Sequence, residues 1–318
     1  MKNNVSDKLD SKENKKNSKI FKYALFLLMA ILVLIISYFL FIPNTYSFNT
    51  SIELTQLKAN TPKQMMGYFI KTKNGKTIVI DGGNEGDFEN LEKDILENGG
   101  NVDYWFLTHY HSDHTGALSN IVRNTDIKIN NIVYSFCDRE KVLNYESSRI
   151  SQYDNIVDAL SSDRISKNLV IPKKGQIFNI DGVKIKIISV YENDITTNLG
   201  NNTSMVFKMY VNSKSLLFLG DTGVESSEKL LKEDSNYLKS DYVQMAHHGQ
   251  NGATFELYKK ISPKYCLWPT PAWLWDNDLG DGFNTGPYKT VETRKWMDEL
   301  NVKENYIEKD GDITLEIN

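Results

Sequence analysis

The chain has 318 residues, 40% of them apolar and 11% aromatic, with 37 basic against 41 acidic side chains. That length is enough for one sizeable core, and two cysteines are too few for a disulfide framework. Residues 1–22 hold seven lysines against Asp7, Asp10 and Glu13, which leaves the remainder with 30 basic and 38 acidic residues, a net charge of −8; an acidic body of this kind argues against nonspecific binding of long nucleic acids.

In chain order, the basic tail 1–22 leads into an apolar run at 23–42, interrupted by Ser37 and long enough to span a bilayer. The lysine bias predicts a cytoplasmic amino terminus and a body outside the cell membrane. The run is long for a cleaved signal, and 43–49 offers no small-x-small cleavage site, so the reading is an uncleaved single-pass anchor. Residues 43–50 read as a polar linker, and 51–318 as one domain. Strands are predicted at 52–58, 66–71 and 76–80, the last two joined by the turn Lys73-Asn74-Gly75-Lys76. A helix follows over 85–97, stopped by Gly99-Gly100, and a short strand at 104–107. Further strands are predicted at 183–190, 203–211, 215–219 and 241–245, a helix over 254–261, a helix from Pro287 to Leu300, and a closing strand at 313–317. Cys137 and Cys266 lie in or beside strand-like runs and read as buried thiols. Strands alternating with both helices and hairpins imply an α/β domain with mixed sheets.

All five histidines fall in two clusters. One is Leu107-Thr108-His109-Tyr110-His111-Ser112-Asp113-His114-Thr115-Gly116, at the end of a predicted strand; the other is Ala246-His247-His248-Gly249. His109 and His111 sit one residue apart, so in an extended loop both can reach one divalent ion. Asp113 and His114 follow where the chain begins to turn, with Thr115-Gly116 opening a helix, and are placed to face a second ion.

The first cluster resembles the signature loop of the metallo-β-lactamase-fold hydrolase superfamily, and the resemblance covers roughly residues 51–318. Asp81, ending Thr77-Ile78-Val79-Ile80-Asp81, resembles the aspartate that supports the metal loop. Asp221, ending Leu216-Leu217-Phe218-Leu219-Gly220-Asp221, resembles the carboxylate shared by two ions, and His247 resembles the last metal-binding histidine. The resemblance implies a four-layered αββα sandwich with two divalent ions, zinc first and manganese as the alternative. One ion would take His109, His111 and Asp221, the other Asp113, His114, Asp221 and His247, with a bridging hydroxide as nucleophile that Asp113 also orients. His248 is either the ligand in place of His247 or a donor that protonates the leaving group. The third histidine that β-lactamases place on the first ion is missing, and Asn201-Asn202-Thr203-Ser204 occupies its region. That pattern resembles the hydrolase domains of bacterial DNA-uptake proteins and phosphorylcholine esterases; it disfavours antibiotic hydrolysis and suits a phosphodiester oxygen completing the first site. Trp268, Trp273 and Trp275 belong either to the core or to a pocket rim that contacts substrate. The function expected is that of an anchored phosphodiesterase acting on a small-molecule or cell-envelope substrate, with a surface nuclease or a non-catalytic ligand-binding module as alternatives.

Overall fold

The computed structural model describes residues 22, 23, 25–32 and 50–318, and contacts divide the chain into two units, Met1–Phe48 and Asn49–Asn318. Within the expected membrane span, residues 23 and 25–32 are helical and exposed; the rest of it, most of the basic tail and the linker up to residue 49 lie outside the described residues. Among the described residues no helix is long and apolar enough to cross a membrane. A single pass needs about 20 apolar helical residues, so the expectation of a membrane-anchored protein with an outward-facing domain is corrected: the structure does not fit it.

In the second unit the chain runs through β1 (Ile52–Gln56), β2 (Gly67–Thr72), β3 (Thr77–Asp81), β4 (Asn101–Val102), β5 (Tyr104–Phe106), β6 (Lys128–Ile129), β7 (Ile132–Val133) and β8 (Leu169–Val170). It continues through β9 (Ile177–Ile180), β10 (Val183–Ser189), β11 (Val206–Val211), β12 (Lys214–Phe218), β13 (Tyr242–Gln244), β14 (Tyr265–Trp268), β15 (Glu304–Ile307) and β16 (Ile313–Ile317). Two seven-stranded sheets result, in the orders β16-β1-β2-β3-β5-β7-β8 and β15-β14-β13-β12-β11-β10-β9, while β4 and β6 pair separately. Each sheet is half antiparallel and half parallel. In the first, β16 to β3 pair antiparallel and β3, β5, β7 and β8 parallel. In the second, β9 to β12 pair antiparallel and β12 to β15 parallel. The switch strands are β3 and β12, and the carboxyl ends of strands at such a switch are where open sheets place their ligand sites. Asp81 ends β3, and Asp221 follows β12 by three residues.

Side-chain alternation builds the layers. Tyr68, Ile70, Ile78, Ile80 and Phe106 of the first sheet meet Ile185, Phe207, Met209, Leu216 and Phe218 of the second in a central core. The residues between them point outward. Phe69, Val79 and Trp105 pack against α1 (Phe88–Glu97), α2 (Ser112–Asn124), α3 (Arg139–Tyr145) and α4 (Ile150–Leu160) through Leu91, Leu118, Val142 and Ile156. The short α5 (Leu199–Asn202) adds Leu199 to this same layer. On the far side, α6 (Val224–Glu233), α7 (Ser235–Leu238), α8 (Phe255–Ile261), α9 (Ala272–Trp275) and α10 (Thr290–Glu299) follow one another. Leu230, Leu238, Leu257 and Met297 from this group cover Leu217, Val243 and Cys266. This is the expected αββα sandwich, with three apolar layers and both cysteines free and buried.

Three local departures have identifiable causes. The helix expected from Pro287 begins at Thr290, because Asn277 Oδ1 accepts the Tyr288 N–H at 3.0 Å and Asn251 Oδ1 the Lys289 N–H at 3.0 Å; these bonds hold the first residues in a loop. Helix α2 begins at Ser112, so Asp113 and His114 already lie in its first turn. The strand-like run at 131–137 shortens to β7, and Cys137 is buried beyond it.

Glu308, after β15, is 1% exposed. Its Oε1 accepts the Ala59 N–H at 2.8 Å and its Oε2 has no partner. Burial pushes its carboxyl up to about 7, against the pull of the Ala59 bond. The folded state therefore holds this proton more tightly than the unfolded chain does. That contribution is fully present below the unfolded value near 4.5 and is lost as pH rises through about 7. The shift corresponds to about 3 kcal/mol at most. Glu308→Gln keeps the oxygen acceptor and removes the ionisation, so it should stabilise the protein by roughly 1–3 kcal/mol at pH 8 and change little at pH 4.5. Urea unfolding at both pH values checks this; equal shifts at both would contradict it.

Candidate metal centre

Four chain segments deliver the site, each from the carboxyl end of a strand. β3 ends at Asp81, which adopts a left-handed backbone with φ 53°, a conformation that aspartate tolerates better than most residues. Its carboxylate accepts the Thr108 N–H at 2.8 Å and the Thr108 hydroxyl at 2.7 Å, and its carbonyl accepts the Trp105 indole N–H at 2.6 Å. The loop after β5 is thereby clamped to the end of β3. The Met205 N–H reaches Thr108 O at 2.8 Å, tying the start of β11 to the same loop. Gln244, fully buried at the end of β13, accepts the Leu219 N–H through Oε1 and donates Nε2–H to Gly220 O; Ser204 Oγ accepts the Asp221 N–H at 3.0 Å. Asp221 is thus fixed from two sides.

Two donor clusters result, and Asp221 belongs to both. His109, His111 and Asp221 form one; Asp113, His114, Asp221 and His248 form the other, with the donor atoms of each lying within 4.8 Å of one another. Asp221 Oδ1 is 3.2 Å from His114 Nε2, and its Oδ2 is 3.8 Å from His109 Nε2 and 3.7 Å from His248 Nε2. His248 Nε2 is also 3.4 Å from Asp113 Oδ2.

Three of these imidazoles share one arrangement. His109 Nδ1 faces Thr108 Oγ1 at 3.2 Å, His114 Nδ1 faces Asp81 Oδ2 at 2.6 Å, and His248 Nδ1 faces Pro269 O at 2.9 Å. Each Nδ1 points at an oxygen acceptor, which places a proton there and, in the neutral ring, leaves the Nε2 lone pair free; burial opposes a charge on these rings, yet Asp221 and Asp81 hold His114 well above its ordinary value, and Asp221 and Asp113 hold His248 above it. The Nε2 atoms of His109, His111, His114 and His248 are buried and, among the described residues, have no hydrogen-bond partner. Buried polar atoms are normally paired, so four inward-facing orphans require an explanation. A cation with nitrogen and oxygen preference fits them, and outer acceptors on the opposite ring nitrogens are what orient metal-binding histidines.

The carboxylates at the centre are held ionised. Burial alone would raise the Asp221 carboxyl, yet His114, His248, His247 and His109 around it hold it well below the usual carboxylate range. Burial likewise opposes ionisation of Asp113, and His248 and His114 overcome it. Burial and the neighbouring His114 and His111 push His109 well down, toward the neutral form a ligand needs.

The sequence-predicted residues His109, His111, Asp113, His114 and Asp221 are brought together, but His247 is not among them. Its Nε2 lies 3.9 Å from Asp221 Oδ2 and faces the Asn201 amide nitrogen at 3.3 Å, and its Nδ1 has no partner. His248 stands in the cluster in its place. The cause is the backbone. His247 and His248 are both left-handed, with φ 51° and 55°, and the turn sends His248 inward where strand alternation gives no guidance. Gly249 continues the turn at φ 77°, where a Cβ would come within 2.3 Å of the Trp268 ring. His248 thus has its Nδ1 engaged by Pro269 O and its Nε2 among the donor atoms of the second cluster.

Glu146 is a neighbour that the sequence did not signal. Its Oε1 is 3.4 Å from His111 Nε2, and its Oε2 accepts the Gly200 N–H at 2.9 Å and the Tyr110 hydroxyl. It arrives from the exposed, patternless stretch between α3 and α4. Gly200 is required by the same packing, since a Cβ there would stand 2.4 Å from His111 Nε2. Of the tryptophans, Trp268 is fully buried, Trp275 packs edge-on against it at 5.1 Å, and Trp273 lines a cleft beside Asp113.

Residues 61–132 match the family model described as the Metallo-beta-lactamase superfamily. A search of curated proteins gives no match. Among solved structures, the chain is similar to the metallo-beta-lactamase fold protein YhfI from Bacillus subtilis, with 13% identity, TM-score 0.51 and coverage of 84% of this chain and 99% of that one. It is similar to CmlA, a diiron beta-hydroxylase from Streptomyces venezuelae, with 12% identity, TM-score 0.53 and coverage of 84% of this chain but 54% of CmlA, so it spans about half that protein. It is also similar to yeast PDE1, with 13% identity, TM-score 0.50 and coverage of 81% and 97%. At these identities the likenesses establish the fold, and they do not single out the DNA-uptake or phosphorylcholine esterase branch.

Proposed function

Since this chain carries a metallo-beta-lactamase superfamily domain, we propose that it is a metal-dependent hydrolase that cleaves phosphodiester bonds, with zinc, or alternatively manganese, at two adjoining positions. The observation that carries this reading is the membership of Asp221 in both donor clusters, the arrangement of two-metal hydrolytic centres. His109, His111 and Asp221 would hold one ion; Asp113, His114, His248 and Asp221 would hold the other. Bound ions would supply Lewis acidity and a water acidic enough to ionise near neutral pH. The chain's own part is positional. Asp81, Thr108 and Pro269 fix the ring orientations, Gln64 donates Nε2–H to Asp113 Oδ2 at 2.9 Å, and Asp113 orients the attacking oxygen.

The phosphodiester preference rests on the first cluster. It has three protein donors, and no histidine occurs between His114 and His247 to add a fourth. A hard phosphoryl oxygen suits such a set. The fold likeness to yeast PDE1 is compatible with this reading. The test is hydrolysis of bis-p-nitrophenyl phosphate by the purified full chain, with elemental analysis of the same sample. Turnover that disappears with chelation and returns with zinc or manganese is expected. A protein holding two metals that cleaves no diester would overturn the reading, and stoichiometric iron would redirect it toward redox chemistry.

A further inference from the structure

Beside Asp113 opens a cleft of about 400 Å³, walled among others by Lys63, Gln64, Arg149, Gln152 and Trp273. Its size is that of a small-molecule site. Lys63 and Arg149 are exposed, and among the described residues neither side chain has a hydrogen bond or ion pair. Several cations elsewhere are matched: Lys76 with Asp103, Arg139 with Asp154, and Lys229 with Glu192 and Asp194. Asp113, the acidic group lining this cleft, is already engaged by the Gln64 amide and faces His248. Lys63 and Arg149 thus stand at the mouth without an ion-pair partner among the described residues, and they outnumber the one carboxylate lining it. Trp273 adds a second observation. Its ring lines the cleft, and among the described residues its shielded indole N–H has no acceptor. The ring is backed edge-on by Tyr288 at 5.6 Å between centroids.

Resting on the phosphodiesterase reading, we infer that this cleft is a subsite for a second anionic group, so that the substrate is a small phosphodiester whose non-leaving arm carries a phosphate. Lys63 and Arg149 supply its counter-charges; an arginine fork and a lysine point charge together suit a phosphate monoester. Trp273 offers a flat wall. A quaternary ammonium arm would suit an aromatic face alone, but two unmatched cations at the same mouth repel it. The open cleft of about 400 Å³ suits one nucleotide-sized arm rather than a duplex.

The test compares thymidine 5′-(4-nitrophenyl phosphate) with the same ester bearing a 3′-phosphate, alongside bis-p-nitrophenyl phosphate and p-nitrophenylphosphorylcholine. In the wild-type protein the 3′-phosphate should raise kcat/KM by about tenfold or more, chiefly through KM, with the gain shrinking as salt is added. Lys63→Gln and Arg149→Gln should each reduce that ratio, and the double variant should bring it close to one. A ratio near one in the wild type, a ratio untouched by the double variant, or preference for the choline ester would overturn the subsite while leaving the diesterase reading intact. Failure of the wild type to cleave any of the four esters would overturn the diesterase reading and the subsite with it.

Discussion

Replacing Asp221 by alanine should lower diester turnover by on the order of a thousandfold and reduce bound metal from about two ions per chain to less than one. Among the described residues no other belongs to both donor clusters. Its carboxylate is 1% exposed and faces the Nε2 atoms of His109, His114, His247 and His248 within 3.9 Å. Removing it withdraws a ligand from both positions and takes away the one carboxylate shared by His109, His114 and His248, so weak retention of a single ion is the most that should remain. The fold should survive, because the three apolar layers do not depend on this side chain. Circular dichroism and elemental analysis of the same sample read the two effects separately. A folded variant that keeps two metals would show that the clusters are not the metal site.

The second large effect separates the two adjacent histidines. His248→Ala should remove one metal and cost on the order of a hundredfold in turnover, whereas His247→Ala should cost less than about tenfold, a typical range for a residue beside rather than among the ligands. His248 is fully buried, has Nδ1 held by Pro269 O and directs Nε2 at Asp113 and Asp221. The His247 side chain is 18% exposed, and its Nε2 is occupied by the Asn201 amide. Metal content and kcat measured side by side decide the order. If His247→Ala proved the more damaging, the turn at 246–249 would have to rearrange on metal binding.

Much of this architecture was legible in the residues themselves. The sandwich follows from strands such as Gly67–Thr72 and Thr77–Asp81, in which every other side chain joins the central core and those between face a helical layer. The loop from His109 to His114 was readable because its donors are nearly consecutive, so local spacing alone brings them together. What stayed hidden depends on tertiary geometry. The choice between His247 and His248 turns on two successive left-handed residues, which alternation cannot anticipate. Glu146 and Gly200, 54 positions apart in the chain, meet at His111, and neither carries a local pattern. Trp273 is distinguished from Trp268 and Trp275 only by the cleft it reaches. The apolar run at 23–42 shows the opposite error: composition suggested a span, and among the described residues no helix of that length is found.

The central claim is that imidazoles and carboxylates from four strand ends hold two ions with Asp221 between them. Crystals of the zinc-loaded protein, measured on both sides of the zinc absorption edge, test it most directly. The expected result is two anomalous peaks about 3.5–4 Å apart, one among His109, His111 and Asp221 and the other among Asp113, His114, His248 and Asp221. A single peak, or zinc bound away from Asp221, would contradict the account.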